Sequence, residues 1–169
     1  MKIEIRHAEL PDIDLVAGLV ARFRMEHSAL IGGDSQVAAS EVRNEIEAHI
    51  NSERCGYILG FDRDGAAAGY RRWEDSDGFI FTRELYVIPQ YRQMGIARQL
   101  IEFTEKWLLE IGQDIACISI VPSNDVMIGL ARSMGYTTLN TIEVRKDLTG
   151  GGRKPRNQVE AVNSTWEVL

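Results

Sequence analysis

Fourteen consecutive residues, Glu84-Leu85-Tyr86-Val87-Ile88-Pro89-Gln90-Tyr91-Arg92-Gln93-Met94-Gly95-Ile96-Ala97, carry the types that can hold a phosphate group. An apolar run ends at Pro89, a short polar turn follows, and Gly95 precedes a long helical pattern. That order predicts strand, phosphate-sized loop and helix. The first N–H groups of a helix have no intrahelical acceptor, so they attract anions. Gly95 has no side chain to block an approaching anion, and Ala97 is small. The same two residues would also allow tight helix–sheet packing, and spacing alone leaves that alternative open. Other constellations are poor. His7, His27 and His49 lack ligand spacing, so no metal site is expected. Ser119 and Ser123 lack a G-x-S-x-G setting, which argues against an acyl-serine hydrolase.

The elements that must position this stretch are legible from periodicity. Ile3 to Arg6 alternates as a short strand. Leu10-Pro11-Asp12 opens a helix with Ile13, Val16, Val20 and Phe23 on one face. Ser28 to Ala39, with Gly32-Gly33-Asp34, is expected as a loop, and Ser40 as the cap of a second helix striped by Val42, Ile46 and Ile50. Tyr57, Leu59 and Phe61 begin a meander, turned by Asp64-Gly65 and again by Glu74 to Gly78. Phe79 to Ile88 is its third strand. A helix from about Gly95 to Glu110 stops at Gly112. Ile115 to Val121 is apolar enough for a strand covered on both faces. Pro122-Ser123-Asn124 turns into a helix lined by Val126, Met127, Leu130, Ala131 and Met134, ended by Gly135. Thr137 to Leu148 reads as one or two closing strands.

The order is β-α-α-β-β-β-α-β-α-β, an α/β (α+β mixed-sheet) fold with helices on both faces and a right-handed crossover from Phe79 to Val121. The expected division is one domain over residues 1–148 and a Gly-rich basic link with a tail over 149–169. Val159 to Leu169, with Trp166 and Val168, is either a frayed tail or a further strand on its own or a partner's sheet.

Among 169 residues, 44% are hydrophobic, enough for a sizeable core, and the formal net charge is −6. An acidic surface disfavours nucleic acid and anionic membranes as partners. It suits a cationic small molecule or basic peptide, although acidity for solubility alone is common. Cys55 and Cys117 lie in apolar runs without C-x-x-C spacing, as free thiols in a reducing, cytoplasmic setting would. Met1 to Arg6 lacks a signal-peptide apolar region, and no apolar stretch approaches the roughly 20 residues of a membrane span. A homodimer is compatible with these features.

The order of elements, the strand end Leu85 to Pro89, and Arg92-x-x-Gly95-x-Ala97 together resemble the GNAT superfamily of N-acetyltransferases. The family motif reads Q/R-x-x-G-x-G/A, and here it follows an apolar strand and Pro89 and opens an amphipathic helix. Asn124 after the Ile115–Val121 strand, Met134-Gly135-Tyr136, and Ile5-Arg6-x-Ala8 before Pro11-Asp12 extend the resemblance over about residues 1–148.

The resemblance implies acetyl-CoA as co-substrate, with no metal, and a mostly antiparallel central sheet splayed at the cofactor site. Arg92 would belong to the cofactor site, and backbone N–H groups from Gln93, Met94, Gly95, Ile96, Ala97 and Arg98 would hold the pyrophosphate. Leu85, Tyr86 and Val87 would pair with the pantetheine arm as an added strand, with Asn124 also touching the arm or merely capping its helix. A backbone N–H near Val87 would stabilise the thioester oxyanion. Glu84 would serve as general base for a primary amine attacking in a ternary complex; the alternative is a solvated strand glutamate or an ion pair with Arg83 or a neighbour. Many relatives carry a tyrosine acid four residues before the terminal glycine, where this chain has Ala131. That departure keeps a second reading open, a non-catalytic acyl-CoA-binding regulatory or interaction module. Arg98 and Arg132 could reach the cofactor's 3′-phosphate or be solvated. Tyr86 and Trp73 could line the acceptor side or pack in the core. Glu26, Glu41, Glu45, Asp75 and Asp77 lead to the expectation of a cationic acceptor.

Overall fold

A computed structural model describes residues 1–31, 36–144, 146, 148, 157–161 and 164–168. Gly32-Gly33-Asp34 of the expected loop and the basic link 149–156 lie outside them. The chain forms two compact units, Met1–Arg24 with Gln36–Ser119, and Met25–Ser35 with Ile120–Leu169.

The first unit is a five-stranded sheet in the order β1-β2-β3-β4-β5. Its strands are β1 (Glu4–His7), β2 (Cys55–Phe61), β3 (Ala67–Ser76), β4 (Phe79–Val87) and β5 (Cys117–Ile118). The first four pair antiparallel and β5 joins β4 in parallel, which makes the sheet mixed. Alternation along the strands puts consecutive side chains on opposite faces. Tyr57, Leu59, Tyr70 and Tyr86 therefore meet α1 (Ile13–Leu30) and α2 (Ala39–Ile50), closing a core with Val16, Val20, Val42 and Ile46. Ile58, Trp73 and Ile80 meet α3 (Ile96–Glu110) through Ile96, Leu100 and Leu108, as does Ala68, the extra residue where the β2–β3 register shifts between Gly60 and Phe61.

One irregularity decides what β4 shows to each face. The β3–β4 register shifts opposite Arg83, so that Arg72 pairs with Glu84 while Trp73 pairs with Thr82. The extra residue is a β-bulge, which flips the side-chain parity of the strand. Ile80 stays on the α3 face, whereas Tyr86 turns to α1 and α2.

Several boundaries differ from the sequence reading. Helix α1 runs through Ser28 to Leu30, and α2 already starts at Ala39, so Ser40 is not its cap. Glu41 accepts the Ala38 N–H (3.4 Å) instead. Strand β3 extends to Ser76, which leaves Asp77 and Gly78, both at positive φ, as the turn. The expected strand Ile115 to Val121 is paired only at Cys117 and Ile118 and is half-exposed there, with Ile115 49% exposed. The reason is that among the described residues β5 has one neighbour, β4.

The second unit contains α4 (Asp125–Ser133), the C-terminal part of α1, and an antiparallel hairpin of β6 (Asn157–Ala161) and β7 (Ser164–Val168). The described residues between 137 and 148 form no strand, contrary to expectation; strand pairing occurs in the tail instead. Val126, expected on the inner side of α4, is 85% exposed, while Ala131 is buried.

Candidate active site

The site grows from the way β4 loses its outer partner. Rungs to β5 occur at Phe81 with Cys117 and Thr82 with Ile118, and the Ser119 N–H donates to the Thr82 carbonyl (3.0 Å). Past Thr82, β4 continues to Val87 without another rung to β5. On its inner side the Ile88 N–H donates to the Ala68 carbonyl (3.0 Å). Backbone groups alternate along an antiparallel strand, so Tyr86 and Glu84 also face β3, while Leu85 and Val87 point to the open side. The Val87 carbonyl there accepts from Arg92 Nε (2.9 Å). Arg83, the bulged residue, lies over the Phe81 ring (4.6 Å) and donates to Ser119 Oγ (3.0 Å), bracing the last rung.

The open edge leads directly into the predicted cradle. Pro89–Tyr91 forms a single 3-10 turn, held when Tyr91 Oη donates to Asp62 Oδ2 (2.5 Å). The Arg92 guanidinium lies 5.6 Å from the centre of the Tyr86 ring. Gln93 (φ 61°) and Gly95 (φ 77°) both adopt the left-handed region, which curls the loop around its own N–H groups. For Gly95 the glycine identity answers that backbone demand, since no atom lies within 4 Å of where a Cβ would stand. Arg92 to Gly95 are exposed and Ile96 is 1% exposed, so the loop is open to solvent while the helix behind it is anchored. Gln99 holds the arrangement from α3, donating through Nε2 to the Met1 carbonyl (2.8 Å), while the Met1 ammonium donates to the Met94 carbonyl (3.1 Å). Residues 92 to 98 are thus brought together at one helix start.

A second glycine has a steric role. A Cβ on Gly69 would lie 2.4 Å from the Tyr86 carbonyl and 3.2 Å from Val87 Cα. The bare backbone of β3 lets β4 sit close at the two residues next to the cradle.

Glu84 faces α1 and α2 and is 9% exposed. Tyr70 Oη donates to its Oε2 at 2.7 Å, and Arg72 Nη1 lies 3.8 Å from Oε1. Burial pushes the Glu84 carboxyl above the usual carboxylate range, against the opposing pull of Tyr70, Arg72 and Arg24. Of the ion pairs expected as the alternative, the one with a neighbour occurs, with Arg72, and the one with Arg83 does not: Arg83 sits 3.6 Å from Glu74, which also accepts from Arg72 (2.6 Å). Around this carboxylate stand Tyr57, whose hydroxyl meets His49 Nδ1 (2.7 Å), and the bidentate pair of Arg24 with Glu45 (2.5 and 2.9 Å). None of Tyr70, Arg72, Tyr57, His49 or Arg24 was marked by a motif. The available signal was faint, a tyrosine and an arginine two apart on the inward parity of a strand.

In the second unit Asn124 Oδ1 accepts the Met127 N–H (3.1 Å), the bond of an N-cap. Tyr86 and Trp73 lie in the two cores, Tyr86 against Phe23 and Tyr70, and Trp73 against Trp107. Of the acids behind the expected cationic acceptor, Glu45 is held by Arg24, Glu41 caps α2, and Asp75 Oδ1 accepts the Gly78 N–H (3.0 Å). Among the described residues no group of three or more His, Cys, Asp or Glu could hold a metal, and no helix is long and apolar enough to cross a membrane.

The model of the acetyltransferase (GNAT) family matches residues 25–136. The aminoglycoside N(6′)-acetyltransferase type 1 of Salmonella typhimurium strain LT2 is 26% identical over 81 residues, 48% of this chain and 56% of that protein. Its namesake from Salmonella enteritidis matches with the same figures. The chain thus spans about half the length of the curated relatives it matches. Among solved structures, aminoglycoside N-acetyltransferase AAC(6′)-Iy in complex with CoA superposes with a TM-score of 0.71 at 17% identity, over 87% of this chain and 95% of that one. A possible acetyltransferase from Clostridium difficile 630 gives a TM-score of 0.71 at 16% identity, over 88% and 99%. These likenesses are of fold.

Proposed function

This chain belongs to the acetyltransferase (GNAT) family, and from that premise we propose that it moves an acetyl group from acetyl-CoA to a primary amine by direct attack in a ternary complex. The observation that carries the reading is continuity: the edge of β4, which among the described residues has no strand partner beyond Thr82, runs into an exposed loop with two left-handed residues just before α3. The edge is what an extended pantetheine arm would pair with, and the helix start is what a pyrophosphate would bind.

Acetyl-CoA supplies the activated acyl group. In this reading the N–H groups of residues 93 to 98 hold its phosphates, and Leu85 and Val87 present backbone groups to its arm. The Val87 N–H faces the open side and would donate to the thioester oxygen as charge develops there. The amine nitrogen bonds the carbonyl carbon, the carbon–sulfur bond breaks, and the amine proton passes to Glu84 directly or through water. A lysine-like amine has a pKa near 10.4, so its neutral form costs roughly 4–5 kcal/mol at pH 7, and a base is useful. A buried carboxylate whose proton affinity is raised is a better acceptor than an exposed one. A thiol of pKa about 8.5 costs only about 2 kcal/mol as free thiolate, so Ala131 at the usual acid position is compatible with turnover.

The Salmonella relatives are named as aminoglycoside acetyltransferases, and one solved neighbour is bound to a CoA-S-monomethyl-acetylneamine bisubstrate analogue. With several local acids already engaged, the net charge of −6 remains the argument for a cationic acceptor, small molecule or peptide. Calorimetry with acetyl-CoA tests the cofactor half: absence of binding at tens of micromolar would refute it. A free-thiol assay over aminoglycosides, polyamines, amino acids and basic peptides tests transfer. Binding without thiol release from any amine would leave the acyl-CoA-binding module as the better reading.

A further inference from the structure

We propose that Tyr70 is a positioning residue that pins Oε2 of Glu84, leaving Oε1, beside Arg72, as the oxygen that takes the substrate proton. The inference rests on the reading of Glu84 as the base and adds which of its oxygens acts and what holds it there.

Tyr70 is completely buried and its hydroxyl donates to one acceptor, Glu84 Oε2 at 2.7 Å. Its ring is boxed by three others: Phe23 at 6.3 Å edge-on, Tyr57 at 6.0 Å and Tyr86 at 6.2 Å. A ring fixed on three sides aims its hydroxyl at one point, so Oε2 is held there by a hydrogen bond. The second buried tyrosine does not compete, because the Tyr57 hydroxyl meets His49 Nδ1. On the other oxygen the contact is of a different kind. Arg72 Nη1 stands 3.8 Å from Oε1, an ion-pair distance too long for a hydrogen bond, and Arg72 spends its short contact on Glu74 at 2.6 Å. Oε1 therefore has a nearby positive charge and keeps lone pairs for a proton.

The charged and titratable groups facing Glu84 are Arg24 from α1, Glu45 from α2, Tyr57 from β2, and Tyr70 and Arg72 from β3, with His49 of α2 behind Tyr57. Arg24 and Glu45 form a bidentate pair with each other, and burial lowers the proton affinity of His49. Tyr70 is thus the neighbour that reaches Glu84 with a short hydrogen bond. It favours the charged carboxylate, so its removal makes protonation easier.

The test is Tyr70→Phe, which keeps the ring and deletes the hydroxyl, read by carbon-13 titration of the Glu84 carboxyl, assigned through its loss in Glu84→Gln. The expected result is a Glu84 midpoint at higher pH in Tyr70→Phe, with acetyl-CoA affinity unchanged. Turnover of any amine found by the thiol assay should fall about tenfold, a part of the roughly 10²–10⁴-fold a positioned base contributes. The acidic limb of its pH profile should move the same way. An unchanged Glu84 midpoint would overturn the proposal, as would a moved midpoint with an unmoved turnover profile. If instead Glu84→Gln leaves the pH–rate profile of the wild type unchanged, the base reading itself fails, and with it the catalytic role of Tyr70. Should Tyr70→Phe fold poorly, Phe23→Leu opens the aromatic box while keeping the hydroxyl. It should broaden or displace the Glu84 carboxyl signal; an unaltered signal counts against the positioning role.

Discussion

A buried carboxylate that is more easily protonated than in the unfolded chain works against folding at neutral pH. For Glu84 the folded form binds its proton more tightly because burial dominates. Its unfavourable contribution therefore grows as pH rises from the ordinary carboxylate range through the raised folded value, and is absent below that range. Glu84→Gln should accordingly leave the melting temperature at pH 8 equal to or above wild type, with Tyr70 still able to donate to the amide oxygen. Turnover should drop roughly 10²–10³-fold with loss of its acidic limb. Scanning calorimetry and a pH–rate series read the two effects separately. Asp12 behaves in the opposite sense. Arg6 grips both of its oxygens (2.6 and 2.8 Å) and the Glu9 N–H donates to it (2.8 Å), holding its carboxyl below the usual range. That stabilisation is present above the unfolded pKa and lost as pH falls through the lower folded one. Asp12→Asn should cost about 1–2 kcal/mol at pH 7, or about 2–8 °C in melting temperature, and much less at the acid end.

At the scale of elements, the cradle is a strand end, a loop and a helix start whose fit depends on two glycines. Gly95→Val puts a β-branched side chain at φ 77°, where L-residues pay roughly 1–2 kcal/mol, and crowds the anion's approach. Acetyl-CoA binding should vanish in calorimetry while far-UV circular dichroism stays close to wild type. Gly69→Ala acts from behind: its methyl would press on the Tyr86 carbonyl, so β4 must shift next to Val87. Here the expected loss is about 1–3 kcal/mol of stability together with weaker acetyl-CoA binding. As N-cap of α4, Asn124 contributes about 0.5–2 kcal/mol, which Asn124→Ser should retain and Asn124→Ala should lose in thermal denaturation.

For the molecule as a whole, ligand binding and folding are linked. Acetyl-CoA at about 100 times its dissociation constant should stabilise the folded protein by about 2.7 kcal/mol, visible as a rise of roughly 5–10 °C in a thermal shift assay. A shift that Gly95→Val abolishes would tie it to the cradle; one that persists in that variant would place binding elsewhere.

Much of this protein was legible before folding was considered. Period-two and period-3.6 patterns located α1, the meander and α3 to within a few residues, because each buries one face and its residues must repeat with the backbone. Pro89 and Gly95 marked the strand end and the left-handed entry to α3 that form the proposed cradle, since a backbone conformation constrains residue type locally. What stayed hidden depends on where chains meet. Nothing local marks Arg83 as a bulge, yet that one extra residue turns Glu84 and Tyr86 toward α1 and α2. The extent of Ile115 to Val121 as a strand was misjudged, because apolar composition records a tendency to be covered and not whether a neighbour is there. Glu84 itself could be named from sequence as a carboxylate in the strand before the loop. Its burial, the hydroxyl of Tyr70 and the distant charge of Arg72 come from β3, and Arg24 from α1, so its chemistry was decided only when those elements packed around it.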